Sequence, residues 1–240
     1  MRRSLVFVLG ASIFVAVAQA TAQEVTLTAC VQQADAGKKS TSSQSAGVVV
    51  WLTPLDSKTP LKPFPAGPLK LTQHHKSFEP HILVVPVGSL VQFPNHDPFF
   101  HNVFSLFEGK RFDLGLYEAG SSRNVSFDRP GISYIFCNIH AEMSAVVIAL
   151  GTPYYSISNS KGEIVLADVP VGRYAMHVWY ETALPETLKS LTHEINVTAG
   201  MSTLGVLQIP TEHPTSAHKN KYGMDYEPPA PDSPGYDNHK

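Results

Sequence analysis

The chain has 240 residues, of which 43% are hydrophobic and 16% are charged, and its formal net charge at pH 7 is −2. A chain of this length can bury a full core in one large or two small domains. The slightly acidic balance, without a dense basic patch, excludes nucleic acid as an expected partner. The 19 prolines and 16 glycines lie between short apolar runs, which favours an all-β protein.

The N-terminus has the pattern of an export signal. Arg2 and Arg3 precede an apolar run from Leu5 to Val17, and small residues spaced as in a signal-peptidase site follow it. This predicts a signal peptide over residues 1–22, because the apolar run is too short for a membrane span. No later run approaches about 18 consecutive apolar residues, so no membrane span is expected. The mature protein would be periplasmic or secreted.

Residues 23–150 are predicted to form one β domain with an N-terminal extension. Alternating or continuous apolar runs, bounded by Gly, Pro, Asn and Asp, predict its strands. They are expected at 24–31, 47–52, 69–73, 81–86, 89–93, 122–127, 131–137 and 144–150. The proline-rich stretch 53–68 is expected to be an irregular connection. Residues 111–120 are predicted to be a packed loop or a short edge strand.

Four side chains in this domain form a candidate metal site. Cys137, His140 and Met143 lie in the short loop between two predicted strands, and His101 lies upstream at the start of another strand. Two imidazoles, one thiolate and a weak axial thioether are the donor set of a blue-copper electron-transfer site. A loop at a hairpin tip can bring three of these donors to one ion, which neither a strand nor a helix can do at this spacing.

The loop before His101 offers a rival ligand, His96. We prefer His101 because the residues after it begin a strand, which holds the imidazole on rigid structure. Asn95 and Asp97 have side chains that cap turns, so they are expected to stiffen this loop.

Other residues leave alternatives open. His74, His75 and His81 are candidate metal ligands, although solvated loop positions are the default for them. Cys30 and Cys137 are the two cysteines of the chain. In an exported protein they could form a disulfide instead of leaving Cys137 free to bind metal.

Residues 151–210 are predicted to form a second, smaller β unit. Its strands are expected at 154–158, 163–166, 172–180, 192–197 and 204–209. The segment 162–174 resembles the carboxypeptidase regulatory-like β-sandwich, a module without chemistry of its own. The last 30 residues, 211–240, contain few aliphatic side chains and are expected to be a disordered tail. Its histidines, His213, His218 and His239, are expected to be solvated.

Residues 94–103 and 136–143 together resemble a plastocyanin/azurin-type cupredoxin with an amicyanin-like ligand loop, and most of the chain resembles longer bacterial methylamine utilisation proteins. The resemblance implies a Greek-key cupredoxin β-sandwich followed by a smaller β-sandwich. It implies one type 1 copper ion, with His101, Cys137 and His140 as equatorial ligands and Met143 as the axial ligand. Asn102 would join the two ligand-bearing loops and tune the thiolate. A carboxylate from Glu142 is the alternative axial donor.

The expected function is that of a periplasmic blue copper protein, not an enzyme. It would carry single electrons to and from a transient partner such as cytochrome c or a periplasmic dehydrogenase or reductase. The electron would leave through His140, beside an apolar patch that includes Phe99, Phe100 and Ile139. Two alternatives remain: a copper protein for storage or delivery, and a structural β-sandwich protein without metal.

Overall fold

The computed structural model describes residues 23–34, 46–57, 59, 61–67, 69–106, 108–210 and 218–226. Within these residues the chain forms 16 β-strands and one short α-helix, which confirms the predicted all-β fold class. The expected signal peptide and most of the expected disordered tail lie outside the described residues. In the described part of the chain, no helix is long and apolar enough to cross a membrane.

The strands pack as two units. The first unit comprises the strands that follow the proline-rich connection, which are β3 (Thr72–His74), β4 (Ser77–Glu79), β5 (Ile82–Pro86), β6 (Ser89–Pro94), β7 (His101–Ser105), β8 (Phe112–Tyr117), β9 (Ser122–Phe127), β10 (Gly131–Cys137) and β11 (Ser144–Leu150). The second unit comprises β1 (Glu24–Ala34), β2 (Val49–Pro54), β12 (Tyr155–Ile157), β13 (Glu163–Pro170), β14 (Gly172–Trp179), α1 (Pro185–Leu191), β15 (His193–Val197) and β16 (Thr203–Pro210).

The first unit is built on a five-stranded sheet in the order β5-β11-β10-β7-β8. Two separate two-stranded sheets, β6–β9 and β3–β4, complete the unit. Strands such as β6 alternate buried and exposed residues, because one face of each strand covers the core while the other meets solvent. The core includes Phe93, Tyr117 and Ile135, and Cys137 and Met143 belong to the same cluster of packed side chains.

The second unit takes its first two strands from the N-terminus. Strand β1 lies between β13, with which it is antiparallel, and β16, with which it is parallel. Strand β2 lies between β12 and β14. The predicted domain 23–150 includes β1 and β2, whereas buried side chains of both strands lie in the core of the second unit. The difference arises because a strand pattern predicts a buried face but not the partner that buries it.

The two units are joined by strands that are buried on both faces. On β11, Ala145, Val147 and Ala149 face the core of the first unit. The alternate residues Val146, Ile148 and Leu150 pack in a separate cluster with Val49 of β2 and Trp179 of β14. This double burial explains why residues 144–150 form a nearly continuous apolar run instead of an alternating one.

A histidine also links the units at the surface. His81 Nε2 lies 2.6 Å from Glu181 Oε2 of the second unit, and its Nδ1 lies 3.1 Å from the carbonyl oxygen of Ser144. Both partners are acceptors, so the ring can donate to both only when it is protonated. The bond to Glu181 is the main cause that raises the pKa of His81 above its ordinary value of 6.5.

The first prediction concerns this pair. Because the pKa of His81 is raised in the folded protein, its stabilisation is fully present below pH 6.5 and is lost as the pH rises through the higher folded value. We expect Glu181→Gln to lower the free energy of unfolding at pH 5.5 by less than about 1 kcal/mol, since the pair is half exposed. The effect should vanish at pH 9. Urea denaturation at both pH values measures it.

The matched control is Glu186→Gln, which changes an exposed carboxylate in the first turn of α1. Its effect on unfolding should be the same at both pH values. A Glu181→Gln effect that grows with pH would contradict the assignment.

Candidate metal centre

Two paired strands bring His101 and Cys137 to the same end of the five-stranded sheet. Strand β7 begins at His101, and strand β10 ends at Cys137. The strands are antiparallel, with Cys137 opposite Val103. A residue at the start of one antiparallel strand therefore lies beside a residue at the end of the other. Both side chains are fully buried, at 0% exposure.

The loop after Cys137 is closed by its own backbone. The Cys137 N–H donates to the Met143 carbonyl at 3.2 Å, and the Met143 N–H donates to the His140 carbonyl at 3.2 Å. The Asn138 N–H donates to the carbonyl of Asn102, on β7, at 2.8 Å. These bonds hold His140 over the end of the sheet.

Three donor atoms meet where this loop lies over the start of β7. Cys137 Sγ lies 3.6 Å from His101 Nδ1 and 3.5 Å from His140 Nδ1. The three ligand atoms all lie within 4.8 Å of one another. Donors held at about 2.0 Å (nitrogen) and 2.3 Å (sulfur) from one ion lie roughly 3.5 Å apart when the angle is near tetrahedral. The spacing of the side chains therefore fits a single transition-metal ion.

The residues beside this cluster differ in burial. Met143 is at 0% exposure and packs in the same core as Cys137, whereas Glu142 is exposed. A thioether can thus approach the buried side of the cluster, while the carboxylate faces solvent. This favours Met143 over Glu142 as the fourth donor.

The electrostatics of the cluster favour binding of a cation. Burial lowers the pKa of His101, and burial together with the neighbouring His101 lowers the pKa of His140 to about 4. Both rings are therefore neutral at pH 7 and keep a lone pair for a metal. Burial raises the pKa of the Cys137 thiol, although backbone N–H groups of Asn102, Ile139 and His140 act in the opposite direction. A bound metal ion would be the charge that stabilises the thiolate.

The second nitrogen of His101 is held by Asp97. His101 Nε2 lies 2.9 Å from Asp97 Oδ2, and both side chains are buried. Since the pKa of the Asp97 carboxyl is lowered, the carboxylate only accepts hydrogen bonds, and Nε2 must carry the proton. The neutral ring then presents an unprotonated Nδ1 to Cys137. A carboxylate behind a metal-binding imidazole fixes its tautomer and orientation.

Asp97 also holds the turn between β3 and β4. His75 and Lys76 both have left-handed backbone, with φ of 52° and 54°, which costs a non-glycine residue about 1–2 kcal/mol. Their N–H groups donate to the two Asp97 carboxylate oxygens at 2.6 and 3.0 Å. Burial alone would raise the pKa of Asp97, but the bonds from Lys76, His101 and His75 outweigh it.

Asn95 stiffens the same loop as predicted from its side chain. Its Oδ1 accepts the Asp97 N–H at 3.0 Å, and its Nδ2 donates to the Phe99 carbonyl at 2.8 Å. Asp97 was expected to cap a turn in its own loop. It instead caps the β3–β4 turn and orients His101.

The second prediction tests this carboxylate. Asp97→Asn puts an NH₂ group where one oxygen accepts a bond, so either His101 or the turn loses its partner. We expect the affinity for a divalent transition metal to fall about 10–100-fold, the usual cost of losing such a partner. Competition with a coloured chelator measures it, using Co(II) or Zn(II) on the purified protein.

The control for Asp97→Asn is Asp56→Asn. It removes an exposed carboxylate that pairs with Arg173 in the second unit. Equal affinities in Asp97→Asn and wild type would show that Asp97 does not orient His101.

The other sequence candidates lie outside the cluster. His96 is exposed, and its N–H donates to the Gln73 carbonyl. The rings of His74 and His75 stack on each other, with centroids 3.7 Å apart. Among the described residues, the grouping of His101, Cys137 and His140 is the one that meets the geometry of a metal site. Cys30 and Cys137 are both free thiols, so the alternative disulfide is not formed.

Asn102 joins β7 to the ligand loop through its backbone. Its backbone oxygen accepts the Asn138 N–H, and its backbone N–H lies against the Cys137 sulfur. Its side chain donates to Asp113 Oδ1, on β8, at 2.7 Å.

Sequence reasoning missed two contributors. The role of Asp97 could have been found from its position four residues before His101. The contact of residues 218–226 with the ligand loop had no comparable signal, because these residues lie in a polar segment without periodicity. Of the segment expected to be a disordered tail, they are the part that the structure describes, and His218 stacks on Phe136 with ring centroids 4.2 Å apart.

No family model matches the chain, and no curated protein matches it. Several solved structures are similar to part of it. The Cu-containing nitrite reductase from Thermus scotoductus SA-01 is 23% identical with a TM-score of 0.33, and the match covers 41% of this chain and 25% of that one. The chain thus spans a quarter of the length of that reductase.

Two smaller proteins are covered more fully. A purple cupredoxin from Nitrosopumilus maritimus is 22% identical over 34% of this chain and 98% of its own, with a TM-score of 0.31. An oxidized amicyanin mutant is 20% identical over 35% of this chain and 83% of its own, with a TM-score of 0.33.

Proposed function

We propose that this protein is a type 1 copper protein that carries single electrons between redox partners. The observation that supports it best is the meeting of Cys137 Sγ with the Nδ1 atoms of His101 and His140 at 3.5–3.6 Å. Copper would supply a one-electron couple at this position. His101, Cys137 and His140 would hold it, with Met143 as the axial donor.

The donor set selects the metal. Thiolate and thioether sulfur disfavour calcium and magnesium, which prefer oxygen ligands. A trigonal arrangement of two imidazoles and one thiolate, with a weak axial thioether, is typical of blue-copper sites. Zinc also accepts the first three donors, whereas the thioether is a donor typical of copper sites.

The surroundings suit electron transfer. His101 and Cys137 are excluded from solvent, and each is held by hydrogen bonds to neighbouring loops. Donors that hardly move between two oxidation states let an electron pass without waiting for rearrangement. Burial also keeps water and substrates from the metal, as a carrier requires.

One ligand approaches the surface. His140 is half-buried, and the ring of Phe99 contacts it with centroids 5.5 Å apart. Phe100 and Ile139, which adjoin the two histidine ligands in the chain, are 50% and 45% exposed. We propose that the electron leaves through His140. A redox partner would dock on this apolar surface with a small, transient interface below about 1,200 Å².

The N-terminal pattern supports a proposed location. A signal peptide over residues 1–22 would place the protein in the periplasm or outside the cell. The partner would then be a cytochrome c or a periplasmic dehydrogenase or reductase.

The third prediction tests the ligands. Wild-type protein with Cu(II) should show an intense visible band, because the thiolate of Cys137 donates charge to the metal. Cys137→Ser should abolish the band, since a hydroxyl cannot replace the thiolate. His96→Ala should leave it unchanged, because His96 is exposed and outside the cluster. Absorption spectroscopy with metal analysis measures all three proteins.

Other outcomes distinguish the alternatives. Tight copper binding without strong colour, or rapid loss of copper to a chelator, would indicate storage or delivery. Loss of colour in His96→Ala would overturn the choice of His101.

The fourth prediction tests the axial position. Met143→Leu preserves volume in the buried core but removes the sulfur, so copper and colour should remain. Since the axial ligand tunes the potential, we expect a higher reduction potential by cyclic voltammetry. Glu142→Gln is the control and should leave the potential near that of wild type. A larger change in Glu142→Gln than in Met143→Leu would assign the axial position to the carboxylate.

A further inference from the structure

A segment near the C-terminus, residues 218–226, lies against the ligand loop; we call it the C-terminal strap. The Tyr226 hydroxyl donates to the carbonyl oxygen of Cys137 at 2.6 Å. The same hydroxyl lies 3.2 Å from His218 Nδ1, and the His218 ring stacks on Phe136, the residue before Cys137. The strap therefore contacts two consecutive residues at the end of β10.

A second set of bonds closes a ring around the ligand loop. The Lys221 N–H donates to Asn138 Oδ1 at 2.9 Å, and Lys221 Nζ lies 2.9 Å from Asp113 Oδ2. Asp113 accepts a bond from the Asn102 side chain, and the Asn102 carbonyl accepts the Asn138 N–H. Residues of β7, β8, the ligand loop and the strap thus restrain one another in a closed circuit.

The strap is itself folded. Asn220 Oδ1 accepts the N–H groups of Tyr222 and Met224 at 2.9 and 3.0 Å. The Gly223 N–H donates to the Asn220 carbonyl at 2.9 Å, and Gly223 has the left-handed φ of 78° that this turn requires. The turn fixes the spacing between Lys221 and Tyr226, so both can reach the ligand loop together.

We infer that the C-terminal strap is a positioning element of the metal site, with Tyr226 as its main contact. This inference rests on the proposed function. The hydroxyl of Tyr226 restrains the peptide group that follows Cys137, and the Lys221 N–H restrains the side chain of Asn138, the next residue. Supporting contacts of this kind hold ligand atoms within about 0.5 Å of the positions that binding requires. Hydrogen bonding around a ligand cysteine also tunes the potential of a copper site.

Tyr226→Phe tests the inference by removing a single O–H while keeping the ring. With copper bound, the visible band, the copper hyperfine coupling and the reduction potential should all shift from wild type. The control Tyr155→Phe makes the same change at a half-buried tyrosine of β12, in the second unit. It should leave all three readouts unchanged.

A readout without metal makes the test independent of copper. In a Cys30→Ser background, the one remaining thiol is Cys137, and its reaction rate with a disulfide reagent reports opening of the loop. We expect Tyr226→Phe to raise this rate about fivefold, the factor that corresponds to the loss of one typical hydrogen bond. Lys221→Met, which removes the bond to Asp113, should raise it as well.

The outcomes separate the two proposals. If wild type binds copper with strong colour but Tyr226→Phe matches it in spectrum, potential and thiol rate, the strap has no positioning role. If wild type gives no coloured copper complex, the proposed function fails. A raised thiol rate in Tyr226→Phe would still show that the strap holds the loop.

Discussion

The buried contact between Asp97 and His101 is the interaction on which the site depends. It determines which nitrogen of His101 carries a proton, so it decides whether a lone pair faces Cys137. The same carboxylate stabilises two left-handed residues, His75 and Lys76, in the turn between β3 and β4. One side chain therefore connects the backbone conformation of the β3–β4 turn to the tautomer of the His101 ring. Oδ2 alone contacts both, since it bonds Lys76 of the turn and His101.

The scaffold around this contact leaves the donors little freedom. β7 and β10 pair directly, and β10 continues through the ligand loop into β11, whose two faces are both buried. The first unit covers one face of β11, and the second unit covers the other. The second unit thus contributes to the rigidity of the metal centre without supplying a ligand, because it fixes the strand that follows the loop.

Local patterns in the sequence predicted many of the strands and the residues of the metal cluster. They did not predict strand pairings between segments that lie far apart in the chain. The runs at 122–127, 131–137 and 144–150 gave strand bounds that match β9, β10 and β11, since burial imposes a period that a short window shows. The residues of the metal cluster were found from donor chemistry and spacing. The partners of β1 were not found, because β16 is encoded far along the chain and strand pairing leaves no local mark. Strand β4 and helix α1 were also missed, being short elements with weak patterns.

The position of β1 between β13 and β16 has a consequence for the order of folding. The first unit has all of its strands once residue 150 has been synthesised. The second unit can form only after its C-terminal strands have been synthesised. Contacts such as that between Thr28 and Ser202 close a loop of 174 residues. Contacts between segments so far apart form late, since ordering the intervening chain is costly in entropy. Residues 218–226 follow both units in the chain and contact Cys137, so the ligand loop has all of its contacts only after residue 226 has been synthesised.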